Sequence, residues 1–253
     1  MSENELLFSL FFVSCRSKNK VEQPMIKDFD LLQRANNDYT TIDLEHAEEL
    51  AYRELIDSIR YIPLGDECGV MGNIANIITY KGRFYIQEEQ FDRVFIYDDT
   101  GRCLKKIDNK GRGPGEYLRI ESIDINTEKE ELMLVDGMSD KLFFYDLDGN
   151  FKSIHSIRYF QTENTLCLRD SVFLHISAPS QNFGNEGLYG YALVLSKGNE
   201  NFLKGYRYLP LQVGYKGGGQ IFKGYERSCY HPIYSDTIYQ ILSDTTYGPI
   251  FYF

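Results

Sequence analysis

Two segments of this chain repeat each other without a gap, and this repetition limits the fold more than any other feature of the sequence. The segment "FYIQEEQFDRVFIYDDTGRCLKKI" (residues 84–107) aligns with "LMLVDGMSDKLFFYDLDGNFKSIH" (residues 132–155), so that Phe95 meets Phe143 and Gly101 meets Gly149. Each unit predicts a strand, a connection, a second strand, a glycine turn and a third strand. Four-stranded sheets that recur about every 40–50 residues are typical of β-propeller blades, which bury their faces by stacking.

The rest of the chain favours an all-β, antiparallel fold. It contains 20 Tyr, 17 Phe, 21 Gly and no Trp, and short runs such as "RVFIYD" and "YALVLS" alternate with turn signals such as "DLDGN". Residues 45–59 form the only segment rich in helix formers, with Leu50, Leu55 and Ile59 on one face. Any helix is therefore predicted within the first 60 or so residues.

Charge and cysteine usage exclude several classes of protein. The net charge of −10, from 27 basic and 37 acidic residues, argues against nucleic acid as a partner. The five cysteines show neither a CxxC pair nor the Cys/His spacing of a zinc site. Apart from the N-terminal one, they are predicted to be buried free thiols: Cys68, Cys103, Cys167 and Cys229.

The N-terminus carries a short apolar run, "LLFSLFFVSC", at residues 6–15. Ten residues cannot cross a bilayer as a helix, but they suit the apolar region of a signal peptide. The end of the run, "FVSC", resembles the lipobox of bacterial lipoproteins, which implies lipidation of Cys15. The alternative is a buried apolar N-terminal strand. We therefore expect a signal segment at 1–15, a polar tether at 16–38, and contact with the membrane only through the lipid anchor.

A glycine-rich stretch, "GRGPGEY", lies between the two repeats at residues 111–117. No GK[ST] follows it and the next predicted element is a strand, so neither a P-loop nor a dinucleotide-binding turn fits. We interpret it as the connection between blades, in which glycines and a proline shape the turn, the acid accepts backbone N–H groups and the aromatic ring packs beneath. The residues of this structural motif are Gly111, Gly113, Pro114, Gly115, Glu116 and Tyr117.

The unit "DKLFFYDLDGNFKSI", preceded by "GRGPGEY" and followed late in the chain by "SDTIYQI", resembles NHL-type and TolB-like propeller repeats. In this order the motifs are similar to the six-bladed β-propeller lipoproteins of Bacteroidetes. The resemblance implies a propeller domain over 39–253 with four-stranded antiparallel blades. At the repeat length above, about four to five blades fit into it, so we expect the six-bladed ring to be incomplete at the C-terminal end.

Metal and catalytic patterns are weak. Asp92, Asp140 and Asp236 share one position in successive repeats and are predicted to cap turns, although calcium is the ion that they would suit. No cofactor is predicted. The four histidines have no HxxxH or HxH spacing, and no serine stands in a GxSxG context.

Two irregular, tyrosine-rich loops at 177–191 and 213–222 are the predicted lips of a binding site, because binding residues concentrate on loops of rigid scaffolds. The leading hypothesis is a non-catalytic propeller of the cell envelope, periplasm-facing or at the surface, that binds a peptide, glycan or protein partner. The alternatives are a propeller enzyme (a metal-dependent lyase or lactonase-like hydrolase with its site on the central axis) and a purely structural domain. The candidate ligand-contacting residues are His175, Tyr189, Tyr191, Tyr215 and His231.

Overall fold

A computed structural model describes residues 30–31, 33–34, 38–43, 45, 56–157, 161–169, 171–177, 190–198, 201–207, 219–223, 227–233, 235–242 and 246–253. These residues form strands and turns, and none of them is helical. Within these ranges no helix is long and apolar enough to cross a bilayer. Of residues 45–59, where a helix was predicted, only 45 and 56–59 are described.

Four antiparallel sheets follow one another along the chain, and we call them blades 1 to 4. Blade 1 contains β4 (Ile74–Tyr80), β5 (Arg83–Glu88), β6 (Arg93–Asp98) and β7 (Cys103–Ile107). Blade 2 contains β8 (Ser122–Asn126), β9 (Glu131–Asp136), β10 (Lys141–Asp146) and β11 (Phe151–Ser156). Blade 3 contains β12 (Asn164–Arg169), β13 (Val172–Ile176), β14 (Tyr191–Lys197) and β15 (Asn201–Arg207). Blade 4 contains β16 (Gln220–Lys223), β17 (Ser228–His231), β18 (Thr237–Ile241) and β19 (Thr246–Tyr252).

Three two-residue strands from the N-terminal part of the chain lie along the outer edges of two blades. These are β1 (Asp30–Leu31), β2 (Gln33–Arg34) and β3 (Thr40–Thr41). The strand β1 pairs in parallel with β15, and both β2 and β3 pair in parallel with β19. They cover last strands that would otherwise present unpaired backbone groups at a sheet edge.

Blades 1 and 2 repeat each other down to their irregularities. The second and third strands pair in the same register in both blades. The pairing of the third with the fourth strand shifts between Ile96 and Tyr97 in blade 1, and at the equivalent Phe144 and Tyr145 in blade 2. The alignment of the two sequence segments therefore describes a true structural repeat.

The blades stack face to face around an axis, as a propeller requires. Tyr85 of blade 1 and Phe143 of blade 2 belong to one buried apolar cluster. Phe144 of blade 2 meets Phe173 of blade 3 with ring centroids 6.0 Å apart. Blades 3 and 4 share a further cluster that includes Tyr230. The first strand of each blade contacts the first strand of the next blade, which places these four strands innermost.

The described residues form four blades, within the four to five expected from the chain's length and fewer than the six of the resemblance. The expectation for the cysteines needs correction. Two of the four predicted free thiols instead form a disulfide, Cys68–Cys103, with their Cα atoms 5.9 Å apart. The pair was missed because its partners lie 35 residues apart and meet only when the segment before β4 folds over blade 1. Cys167 and Cys229 are buried thiols outside this disulfide, as predicted.

Candidate functional site

A cavity of about 500 Å³ lies where the innermost strands of all four blades begin. Its volume falls in the range of small-molecule sites. The lining is mainly polar and contains no lysine or arginine among the described residues. Its polar side chains come from every blade or from the connections between them: Asn76, Gln87, Glu121, Ser122, Glu163, Asn164 and Gln220.

The two carboxylates of the cavity occupy equivalent places in the fold. Glu121 directly precedes β8 and Glu163 directly precedes β12, so each stands where the chain enters an innermost strand. The corresponding residue before β16 is Gly219, which has a φ of 109° and also lines the cavity. A side chain at Gly219 would also collide with the backbone of the β17–β18 connection. Blade stacking therefore brings the two acids together, although they are far apart along the chain.

Hydrogen bonds and close packing fix this lining. Gln87 is almost fully buried, and its side-chain amide donates to the carbonyl oxygen of Ile120 at 3.1 Å. This bond joins blade 1 to the segment that carries Glu121. The side chain of Glu121 also lies against Gly137, where an added Cβ would approach its Cγ to 2.9 Å and the carbonyl oxygen of Thr162 to 3.0 Å.

Burial and neighbouring acids disfavour the charged form of Glu121. Its pKa is raised, chiefly because the carboxyl is partly withdrawn from water, and further by the negative charges of Asp136, Asp92 and Glu163. Arg119 opposes this shift from a distance of 3.3 Å between its Nε and Oε1 of Glu121. Arg119 is more than half exposed, so this ion pair contributes little to stability.

An ion pair between a buried carboxylate and a partly exposed lysine joins three blades on the same innermost strands. Nζ of Lys223 in β16 lies 3.3 Å from Oδ2 of Asp124 in β8, and it donates to the carbonyl oxygens of Ile125 and Cys167 at 3.0 and 2.8 Å. Asp124 also accepts from the backbone N–H of Cys167 at 2.7 Å. Burial raises the pKa of Asp124, and Lys223 counteracts this shift. We interpret this ion pair as a structural link between blades 2, 3 and 4.

The glycine-rich connection packs on the interface between blades 1 and 2. Tyr117 is fully buried, and its hydroxyl donates to the backbone oxygen of Asp92 at 2.9 Å. Burial raises its pKa well above the usual tyrosine range. Oε2 of Glu116 accepts from the backbone N–H of Gly113 at 2.7 Å, and Gly115 has a φ of 82°. Arg112 is exposed, and no residue of this stretch lines the cavity.

The repeated aspartates serve the chain itself. The Asp92 carboxylate accepts from the backbone N–H of Ile120 at 3.1 Å and pairs with Lys110. Oδ1 of Asp236 accepts a hydrogen bond from the hydroxyl of its neighbour Thr237 at 2.9 Å. This bond contributes most to the lowered pKa of Asp236. In the described ranges no three His, Cys, Asp or Glu side chains come close enough together to hold a metal ion.

The predicted ligand-contacting residues are scattered. His175 is fully buried inside blade 3, with its Nδ1 2.9 Å from Thr165 Oγ1 and its Nε2 2.7 Å from Ser196 Oγ. Burial lowers its pKa to about 3, so the ring is neutral. His231 lies 2.9 Å from the backbone oxygen of Ser235. Tyr191 begins β14 half-buried, whereas Tyr189, Tyr215 and the lipidation candidate Cys15 lie outside the described residues.

The residues that line the cavity were missed at the sequence level. Four of them, Gly219 to Phe222, belong to the predicted loop 213–222, but none of the carboxylates or amides had been singled out. The signal that would have found them is positional. In a propeller, the residues that lead into each first strand lie near the axis, so aligning the repeats by that strand picks out Glu121, Glu163 and Gly219.

One family model matches this chain over most of its length. The family model described as "Domain of unknown function (DUF4934)" matches residues 39–253. The chain belongs to this DUF4934 family. None of the curated proteins matches it.

This DUF4934 chain is similar to solved structures over part of their length. A Bacteroides fragilis protein named "Putative exported protein" has a TM-score of 0.68 at 20% identity, over 78% of this chain and 55% of that one. A DUF4221 family member from Bacteroides vulgatus has 0.46 at 11% identity, over 70% and 56%. Virginiamycin B lyase from Staphylococcus aureus has 0.47 at 9% identity, over 70% and 55%. The chain thus spans about half the length of these proteins. The likeness to the Bacteroides fragilis protein shows the fold alone, because the identity is only 20%.

Proposed function

We propose that this chain is a non-catalytic binding protein of the cell envelope, which holds a peptide, glycan or segment of a protein partner in the cavity between its four blades. The observation that carries the proposal is the cavity itself. Amide and carboxylate groups from separate blades converge on it, and its volume suits a few amino-acid or sugar units. The rigid sheets hold these groups in place, which lowers the entropic cost of binding.

The test uses one variant that fills the cavity and one that does not. Asn76 is an exposed lining residue of β4, whereas Thr79 is an exposed residue of the same strand that does not line the cavity. The wild type is screened on arrays of short peptides and of bacterial glycans. We expect Asn76→Trp to lose binding to the hits and Thr79→Trp to keep it. Equal binding by all three proteins, or no hit on either array, would reject the proposal.

We also propose export and a lipid anchor at Cys15. The Cys68–Cys103 disulfide supports a location of this protein in an oxidising compartment. The similar Bacteroides fragilis structure is also named as an exported protein. A chain with two or three acyl groups would stay on the membrane, since one group binds only marginally. Cells fed an alkyne analogue of palmitate should label the wild type and not Cys15→Ala. Labelling of the variant would refute the anchor.

A six-bladed ring is the third part of the proposal, with the four blades as an arc of it. Ile77 in β4 and Ile125 in β8 occupy the same position of the repeat, yet Ile77 is 51% exposed and Ile125 is 2% exposed. The face of Ile125 packs on blade 1, so the matching face of blade 1 suits another blade. Electron microscopy of the longest natural product of the gene should count six blades. Any other count contradicts this part.

A further inference from the structure

The Cys68–Cys103 disulfide joins a segment without regular structure to the last strand of blade 1. This segment, residues 60–71, is called the strap below, and it contains one turn but no helix and no strand. We propose that the disulfide is a redox latch, which keeps the strap closed over blade 1 and which a dithiol opens, so that the sheet face underneath is exposed. The latch is independent of the proposed cavity function, since neither cysteine lines the cavity.

The strap covers a sheet face that is built for packing. Blade 2 packs on blade 1 through three residues of one buried cluster: Leu134, Phe143 and Tyr145. The equivalent residues of blade 1 are also buried, although no described blade packs on them: Ile86, Phe95 and Tyr97. Instead, Cys68 and Met71 of the strap belong to the same cluster as these residues. The strap therefore takes the place that a neighbouring sheet takes on blade 2.

The innermost strand of the same face shows the effect of having no such cover. Ile77 in β4 pairs with Ile86 in β5, and Ile86 pairs with Phe95 in β6, so the three side chains cross one face of the sheet. Ile77 is 51% exposed, whereas Ile86 and Phe95 are 2% and 0% exposed. The strap accounts for this difference, and its release would expose the outer strands in the same way.

Apart from the disulfide, the strap is attached to blade 1 mainly by a few hydrogen bonds at its surface. Four of them join described residues: the N–H of Gly65 to the oxygen of Gly101 (2.8 Å), the hydroxyl of Tyr97 to the oxygen of Gly65 (3.2 Å), the N–H of Cys103 to Oε2 of Glu67 (3.2 Å), and Nη2 of Arg60 to the oxygen of Asp99 (2.6 Å). Such bonds add little net stability, because water replaces them when they break. Ordering a segment without regular structure also costs conformational entropy at every residue. The covalent bond is therefore the main restraint on the strap.

The opening step is a thiol–disulfide exchange with a dithiol. One thiolate of the dithiol attacks Sγ of Cys68, the more exposed residue of the pair, and the bond between the two cysteine sulfurs breaks. Cys103 leaves as a thiolate and takes up a proton. The second thiolate of the dithiol then displaces Cys68 from the mixed disulfide, and Cys68 is protonated in turn. The dithiol loses two electrons and two protons to become a disulfide, and the cysteine pair gains them.

The experiment measures where the chain opens on reduction. The whole oxidised chain is treated with dithiothreitol in native buffer, and iodoacetamide then labels the accessible thiols. We expect labelling of Cys68 and Cys103 well before that of Cys167 and Cys229, which are buried in blades 3 and 4. Hydrogen–deuterium exchange should become about tenfold faster in residues 60–71, stay unchanged in blades 2 to 4, and return to its starting rate after reoxidation.

Two variants separate the latch from the rest of the strap. Cys68→Ser removes the latch, so its strap should exchange at the rate of the reduced wild type and should not respond to dithiothreitol. Val70→Ser is the matched control, because Val70 is 85% exposed on the same strap and the disulfide is kept. It should match the wild type in both redox states. The hydrophobic dye bis-ANS should bind to Cys68→Ser and not to oxidised Val70→Ser, since the strap covers apolar residues.

Three results would overturn the latch. If dithiothreitol does not reduce the pair in native buffer, the disulfide is out of reach of a dithiol. If exchange in the strap is unchanged after both cysteines are labelled, the other contacts suffice to hold it. If Cys167 and Cys229 are labelled as fast as Cys68 and Cys103, reduction unfolds the whole chain instead of opening one segment. None of these results bears on binding in the cavity, which the arrays test separately.

Discussion

Single residues in unusual backbone conformations mark the turns of the repeat. Asp92 and Asp140 occupy the same repeat position and have φ values of 57° and 53°, in the left-handed region where Asp and Asn are the commonest residues after glycine. Gly101 and Gly149, also equivalent, have φ values of 88° and 80°. The backbone conformation of the turn therefore explains the residue types at these sites better than their charge does.

Gly115 tests the interpretation of the glycine-rich connection. Its φ of 82° penalises any side chain, so Gly115→Ala should lower the free energy of unfolding by roughly 1–2 kcal/mol. Gly113 is the matched control, since its φ is not positive and an added Cβ would meet only the flexible carboxylate of Glu116, at 3.1 Å. Urea titrations measure both. Equal losses in the two variants, or a loss of ligand binding beyond the unfolded fraction, would contradict the structural role.

Asp140 should limit stability at neutral pH. Its pKa is raised, mainly by burial and then by the charge of Asp136, so the folded state disfavours the ionised form. The carboxylate therefore destabilises the fold above the raised pKa, and this cost vanishes below the unfolded value of about 3.9. We expect Asp140→Asn to unfold at higher urea than the wild type at pH 7 and equally at pH 3. A less stable variant at pH 7 would show the prediction to be wrong.

At the scale of elements, the disulfide fastens the segment before β4 onto blade 1. It closes a loop of 35 residues, for which the loss of chain entropy in the unfolded state predicts a stabilisation of roughly 3–4 kcal/mol. Reduction of the wild type with dithiothreitol should lower its melting temperature. The double variant Cys68→Ser/Cys103→Ser should show a similar decrease. The double variant itself should not respond to dithiothreitol. An unchanged melting temperature of the reduced wild type would argue against the disulfide.

The innermost strands of blades 1 and 2 give a matched pair of positions. Ile125→Ala removes a side chain buried between two blades and should cost roughly 3 kcal/mol. Ile77→Ala, at the equivalent but half-exposed position, should cost less than about 1 kcal/mol in this chain. Chemical denaturation of both variants checks the contrast. Comparable losses would mean that something covers Ile77 in solution, as the six-bladed proposal expects for a longer protein.

At the scale of the whole molecule, Lys223 links blades 2, 3 and 4 near the axis. Lys223→Met would leave the Asp124 carboxylate buried without its cation and should cost roughly 3 kcal/mol at pH 7. The raised pKa of Asp124 sets the sign of the pH dependence. The gap to the wild type should narrow as pH falls, because protonation removes the unpaired charge.

The double variant is the control for this link. Adding Asp124→Asn to Lys223→Met removes the buried charge and should recover much of the loss at pH 7. Urea midpoints from pH 4 to pH 7 measure both variants. A gap that does not change with pH, or a double variant less stable than the single one, would refute the proposed link.

Much of the architecture could be predicted from the sequence because its causes are local. Alternating apolar residues and turn glycines act over a few positions, so the strands, the hairpins and the equivalence of blades 1 and 2 follow from aligned segments. The four blades agree with the four to five expected from the chain's length, but local patterns do not state how many blades close a ring. The same limit applies to Ile77 and Ile125, which share a local pattern and differ only in what packs on them.

The cavity, the disulfide and the axial ion pair were decided by tertiary structure alone. Glu121, Glu163 and Gln220 belong to separate blades, and no local rule relates residues more than 40 positions apart. Stacking of the sheets around an axis brings them to one cavity. The sequence by itself determined the strands and turns of each blade, because their causes are local. Only the stacking of the blades determined which residues line the cavity.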